Sequence, residues 1–192
     1  ELVRGALDAP AGWSVRRLHG MGRLRVSELL QRLERFRDSE RRAGAVPDIT
    51  APLDARLYAT YRSYLPWSEH CLRPIVREDA RGRLYEAIRW AAGGQVFFST
   101  TKPGVIRGDH YHTRKVEWFC VVQGEAIIRL RRIGAAEVQE IRVSGERPEF
   151  VSIPVMHAHQ IENVGRTDLL TMFWCNEIFD QSDADTWRER VA

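Results

Sequence analysis

The chain has 192 residues, a net charge of +3 and 44% hydrophobic side chains, which suits one full domain plus an appendage around a sizeable core. No basic run interleaves with aromatics, no apolar run approaches the roughly eighteen residues of a membrane span, and the first residues are not a signal peptide. Neither a nucleic acid nor a membrane is therefore an expected partner. Cys71, Cys120 and Cys175 are too few and too odd in number for a disulfide framework, so free thiols and a cytoplasmic location are expected.

Residues 1–25 have Gly-Pro-Arg character and weak periodicity, and the chain opens on Glu1 in mid-sequence, as a fragment or processed chain would. From Val26 the period becomes helical: Val26, Leu29, Leu30, Leu33 and Phe36 share one face, with Ser27 as the expected N-cap. Gly44 and Pro47 end that helix, and 47–52 reads as a linker. Leu53, Leu57, Tyr58 and Tyr61 mark a second short helix, closed by Tyr64-Leu65-Pro66. From about Pro74 the period shortens towards two, giving candidate strands at 74–78, 83–90, 95–101, 105–112, 116–122, 125–132, 137–143, 149–153, 159–163 and 168–175. Turn glycines punctuate them at Gly82, Gly93-Gly94, Gly104, Gly124, Gly134 and Gly145. So many short strands without intervening helices predict a mainly β domain, a sandwich or closed barrel, over 67–192. Residues 1–66 form its helical and linker appendage.

Within this pattern His110-Tyr-His112 and Glu117 follow the spacing His-x-His-x4-Glu, flanked by Gly104 and Gly124. Two histidines one residue apart point to the same face of a strand, so both can reach one ion. Glu117 opens the next apolar run and can bring its carboxylate to the same place. Imidazoles and a carboxylate are ligands for zinc, manganese, iron or nickel. A lone His-x-His is usually an ordinary pair, but His157 and His159 form a second such pair, between Pro154 and Asn163. His19 and His70 lie outside the pattern and read as structural or exposed. Tyr111 and Lys115 match the Tyr-x3-Lys spacing of short-chain reductases, but on a strand, where the reductase pair needs a helical turn. Gly20-Met-Gly22 lacks the third glycine of a dinucleotide loop, so no nicotinamide cofactor is expected.

The two segments resemble the paired motifs of the cupin superfamily, G-x5-H-x-H-x3,4-E-x6-G and P-x-G-x2-H-x3-N. The resemblance implies a jelly-roll β-barrel with His110, His112, Glu117 and His159 as metal ligands. It leaves His157 behind the ligands or facing the substrate, and Met156 stands where the second motif has glycine. Longer stretches are similar to one family: Tyr61-Arg-Ser-Tyr-Leu-Pro66, Lys102-Pro-Gly-Val-Ile-Arg-Gly-Asp-His-Tyr-His112, Ile153-Pro-Val155, His159-Gln-Ile-Glu-Asn163 and Trp174-Cys-Asn-Glu-Ile-Phe-Asp180 resemble the C-terminal cupin domain of capsular-polysaccharide assembling enzymes of the CapF type. In that family a zinc-binding cupin epimerises C3 of a UDP-linked 4-keto-6-deoxy-N-acetyl sugar, and an N-terminal reductase domain then reduces C4. By resemblance this chain is the epimerase half, with residues 1–66 as the remnant of a reductase domain, and a homodimer is expected through the barrel; Trp90 and Trp174 suit its interface and the barrel core equally well.

The chemistry suits the residues. Removing a proton beside a ketone requires stabilisation of the enolate, which a divalent ion, here expected to be zinc, supplies as a Lewis acid. A base and an acid must then move the proton. Metal-bound histidines cannot do so, which leaves His157, Lys115, Tyr111 and Glu162 as candidates. Two other readings share the ligand set: an iron or manganese cupin oxidase or dioxygenase acting on a small molecule, and a non-catalytic sugar-binding cupin.

Overall fold

The computed structural model describes residue 20 and residues 22–192. His19, Met21 and most of the Gly-Pro-Arg stretch lie outside the described residues. Helix α1 runs Val26–Ala43 and α2 runs Pro52–Ser63, followed by a 3-10 turn at Trp67–Glu69. The strands are β1 Arg77–Asp79, β2 Gly82–Arg89, β3 Gln95–Thr101, β4 Ile106–Tyr111, β5 Glu117–Gln123, β6 Glu125–Arg132, β7 Val138–Ser144, β8 Phe150–Ile153, β9 His157–Asn163, β10 Leu169–Cys175 and β11 Trp187–Arg188. They pair antiparallel in two sheets, ordered β1-β2-β3-β10-β5-β8 and β11-β4-β9-β6-β7. Among the described residues, no helix is long and apolar enough to cross a membrane.

Alternation builds the core. Phe119 and Val121 of β5, Ile128 and Leu130 of β6, Val151 and Ile153 of β8, Ile161 of β9, and Leu169 and Phe173 of β10 point between the sheets and pack as one cluster. Burying each such side chain is worth about 1.5–3 kcal/mol. The ladders between β10 and β5 and between β6 and β9 therefore tie the two motif-bearing segments into one apolar interior.

Helices α1 and α2 form a separate pair that runs side by side in the same direction, because Arg32 meets Asp54, Phe36 meets Tyr58 and Glu40 meets Arg62 in ascending order. Phe36 is fully buried, with ring centroids 5.4 Å from Tyr58 and 6.0 Å from Tyr61. The arginine-rich faces are spent on ion pairs: Arg32 and Arg35 with Asp54, and Arg62 with Glu40 at 3.0 Å. Two details of the helical expectation need correction. The N-cap is Arg25, not Ser27, because Glu28 reaches back to accept the Arg25 backbone N–H at 2.9 Å and starts the helix two residues earlier than a Ser27 cap would. Val26 and Leu30 do not join the buried face; they are 84% and 55% exposed, because α2 covers only the side bearing Leu29, Leu33 and Phe36. Gly44, as expected, ends the helix in the left-handed region, φ 58°. A single parallel bridge, Val46 to Trp90, joins the appendage's linker to the barrel.

Strand positions follow the sequence reading closely. The main departures are at β1, which begins at Arg77 rather than 74, at β11, which was not expected, and at β9, which begins two residues before the expected 159 because Met156 makes the turn ahead of it at φ 59°. That explains the family's preference for glycine there: a methionine in this region costs about 1–3 kcal/mol of strain. It is held by bonds from Met156 N–H to the His112 carbonyl, 2.8 Å, and from Ile133 N–H to the Met156 carbonyl, 2.9 Å.

Gly108 has the opposite logic. At φ 116° it lets β4 approach β9, and a Cβ there would sit 2.5 Å from the His159 carbonyl oxygen. Gly108→Ala should therefore lower unfolding free energy by about 1–3 kcal/mol in urea titrations. A variant as stable as the parent would show that the two strands can part without cost.

Candidate metal centre

The four residues arrive from three strands and a strand end. In β4 the register against β9 shifts between Gly108 and His110, with Asp109 bulged out at φ 57°. The bulge re-aims the strand so that His110 sits opposite His159 and points inward, and His112 follows one strand period later. Glu117 opens β5 and His159 lies in the middle of β9. Their ligand atoms all lie within 4.8 Å of one another. The rings of His110 and His159 are 4.5 Å apart, those of His110 and His112 5.1 Å, and those of His112 and His159 5.4 Å. Glu117 Oε2 stands 3.3 Å from both His112 Nε2 and His159 Nε2.

Hydrogen bonds on the far side of each ring decide what those nitrogens present. His112 Nδ1 meets the Asp185 carbonyl, and His159 Nδ1 meets the His157 carbonyl at 3.2 Å. A carbonyl only accepts, so both Nδ1 atoms carry the proton in the neutral rings and both Nε2 atoms carry a lone pair. Among the described residues those two buried Nε2 atoms have no hydrogen-bond partner; their approach to Glu117 lacks hydrogen-bond geometry. Two lone pairs and a carboxylate thus face one another in a dry interior. Burial would raise the Glu117 carboxyl, but the two imidazoles outweigh it and hold it well below the usual carboxylate range. Burial, reinforced by His159, pushes His110 down to about 4. For His112 burial also acts downward, but Glu117 outweighs it and leaves the imidazole raised. The donor set, three imidazoles with an ionised carboxylate, fits a divalent cation such as zinc.

The remaining candidates divide by face. Lys115 is buried, its Nζ donates to the Ala184 carbonyl at 3.1 Å, and it lies 5.8 Å over the Phe179 ring. It is close enough to His112 to act on it electrostatically. His157 begins β9, half-buried, on the same strand face as His159; its Nδ1 is 2.9 Å from the Val155 carbonyl, so Nε2 keeps a lone pair. Tyr111 falls between His110 and His112 and alternates to the opposite face, in register with Trp187. Glu162 likewise alternates away from His159 and pairs with Arg129 at 2.6 Å. His70 is tied to the Leu65 carbonyl, far from the cluster in the fold, as a structural histidine.

Sequence reasoning missed Asp185. It is buried, at φ 40°, in an otherwise exposed segment, and both its backbone and its side chain serve the ligand region. No periodicity or motif marks it among the neighbouring acids Asp180 and Asp183.

Two antiparallel sheets closed over inward-facing His110, His112, Glu117 and His159 are the architecture of a cupin. The chain belongs to the family described as the polysaccharide biosynthesis C-terminal domain, which it matches over residues 77–187. It is 38% identical over 162 residues to a UDP-2-acetamido-2,6-beta-L-arabino-hexul-4-ose reductase of Pseudomonas aeruginosa, covering 84% of this chain and 43% of that protein. It is also similar to CapF in a crystal structure with the inhibitor 3-isopropenyl-tropolone, with TM-score 0.78, 38% identity, 86% of this chain and 48% of that one. The capsular polysaccharide assembling protein CapF of Staphylococcus aureus gives TM-score 0.75 and 37% identity over 86% of this chain and 44% of that one. The chain thus spans less than half the length of these relatives.

Proposed function

We propose that this chain is a metal-dependent cupin that epimerises C3 of a UDP-4-keto-6-deoxy-N-acetylhexosamine. The observation that carries the reading is the set of facing acceptors, His112 Nε2, His159 Nε2 and Glu117, closed by His110 inside a barrel of a polysaccharide-biosynthesis family. When bound, a divalent ion held by these four residues supplies Lewis-acid polarisation of a substrate carbonyl. The chain's own residues supply the proton transfers. His157 presents a basic Nε2 from the strand face that carries His159, and Lys115 presents an ammonium beside His112. These two groups are the base and the acid in this reading; Tyr111 and Glu162, on the outward faces, are not assigned a transfer. The segment up to residue 66 joins the cupin to a reductase unit that takes the epimerised ketone on to the alcohol. The support is that the Pseudomonas relative is named for reduction of a 4-keto sugar nucleotide and that the match covers under half of it. A cytoplasmic setting accords with the free thiols of Cys71, Cys120 and Cys175.

Metal analysis of protein purified without added metal should find about one divalent ion per chain, zinc in this reading. His112→Ala should lose it; a variant that keeps the ion defeats the ligand assignment, and iron or manganese in the parent would favour the oxidase reading instead. The activity itself is tested by solvent deuterium wash-in at C3 of UDP-linked 4-keto-6-deoxy sugars, without NADPH. Wash-in should occur, and His157→Ala or Lys115→Ala should slow it by roughly a hundredfold with the metal still bound. No wash-in by the parent across several such sugars removes the epimerase reading.

A homodimer is part of the same reading, supported by the contrast between the two outer faces. The five-stranded sheet is charged outside, with Arg129–Glu162 and Arg131–Glu189 pairs at 2.6 Å. The six-stranded sheet is apolar outside: Tyr85, Phe98, Met172, Cys120 and Phe150 lie in one cross-strand row, and Ile88, Val96, Trp174 and Trp118 in the next. Phe150 is 59% exposed and Trp118 40%. An uncharged face of this kind suits pairing with its own copy about a two-fold axis. Light scattering at micromolar concentration should report a dimer that Trp118→Glu converts to monomer, and a monomeric parent refutes it.

A further inference from the structure

The loop between two of the candidate ligands, 113–116, has its backbone N–H groups capped from far along the chain. Asp185 receives those of Thr113 at 3.0 Å, Arg114 at 2.9 Å and Lys115 at 2.9 Å, and Asn176 Oδ1 receives that of Val116 at 2.8 Å. Three successive amides converging on one carboxylate form an anion-binding concavity filled from within the protein. The Thr113 hydroxyl donates to the same carboxylate at 2.6 Å, and the Trp187 indole N–H lies 3.3 Å from it. The backbone carbonyl of this same residue accepts the His112 Nδ1 proton. Asp185 is buried and held at φ 40°, a conformation an L-residue adopts only where its surroundings fix it.

We propose that Asp185 is a positioning residue for metal binding, its carboxylate gripping the 113–115 amides so that its own carbonyl fixes the tautomer and ring orientation of His112. The inference rests on the metal reading of the site. The side chain sets where the carbonyl lies relative to the loop that begins at His112, so ring and acceptor move together. An aspartate at this distance in sequence also makes the 183–185 segment part of the site: Ala184 receives Lys115 Nζ, and Asp183 meets Arg114. A residue that merely stapled the loop would change the stability of the metal-free protein and leave the ring's proton where it was.

The test uses the whole chain in two measurements. Zinc affinity is read by competition with a chromogenic chelator, and the His112 tautomer by nitrogen-15 NMR of metal-free protein. The parent should show the proton on Nδ1. Asp185→Gly, which keeps the positive φ but removes the carboxylate, should weaken zinc roughly ten- to a hundredfold and mix the tautomers. Asp185→Asn should fall between parent and glycine variant. Asp180→Ala, which removes an exposed charge outside the 183–185 segment, should match the parent. If Asp185→Gly binds zinc as tightly as the parent and keeps the Nδ1 tautomer, the proposal is overturned. Should the glycine variant fail to fold, the asparagine variant decides on the same two readouts. A parent that binds no divalent ion ends the metal reading, and the tautomer comparison alone then decides whether Asp185 orients the ring.

Discussion

The arrangement that governs this molecule is an electrostatic impasse in the barrel interior. Two imidazole lone pairs and an ionised carboxylate meet at 3.3 Å, shielded from water by the strands around them. Acceptors placed so close repel one another unless a cation or a proton joins them, and Glu117 already favours a proton on His112, whose imidazole it holds raised. Such a cluster costs free energy unless a cation resolves it. The fold puts much of its local irregularity into creating it: the Asp109 bulge, the close approach at Gly108 and the positive φ at Met156 all border these ligands. The non-glycine residues at positive φ among the described residues, Asp109, Met156 and Asp185, all lie beside the candidate ligands.

Much of this was legible because strand alternation writes its geometry directly into spacing. His110 and His112 had to share a face, Glu117 had to open the next strand, and the glycines had to mark turns. The strand limits differ from those expected by a residue or two at most ends. What was not legible depended on partners distant in sequence. Whether Val26 and Leu30 are buried is decided by how far α2 extends over α1, which no helical period reveals. The place of Lys115 depends on a carbonyl 69 residues away, and the role of Asp185 on amides 70–72 residues away. Tyr111 illustrates the middle ground: alternation alone sends it to the outer face, although its neighbours on both sides are ligands in waiting.

The two sheets carry different chemistry on the sides turned away from the core. One ends in salt-bridged arginines and glutamates, the other in an aromatic and aliphatic ladder. Antiparallel sheets ordinarily leave one face polar for water. The asymmetry therefore separates the molecule's surface into a part already satisfied by solvent and a part whose apolar area remains to be covered. The linker of the helical pair meets the barrel at the Val46–Trp90 bridge, beside β2, while Trp118 and Phe150 at the β5–β8 end of the sheet stay exposed.

The bond from Thr113 to Asp185 spans 72 positions, and His110 pairs in register with His159 across almost fifty. A synthesised chain therefore holds His110, His112 and Glu117 long before it holds the strand and the carboxylate that orient them. Closing such long loops is entropically slow, and non-local strand pairing sets the pace of folding in β-rich domains. The four-residue cluster is accordingly a late product of folding rather than its nucleus. A nascent chain can expose isolated histidines, but it cannot offer a finished coordination sphere until the barrel has closed.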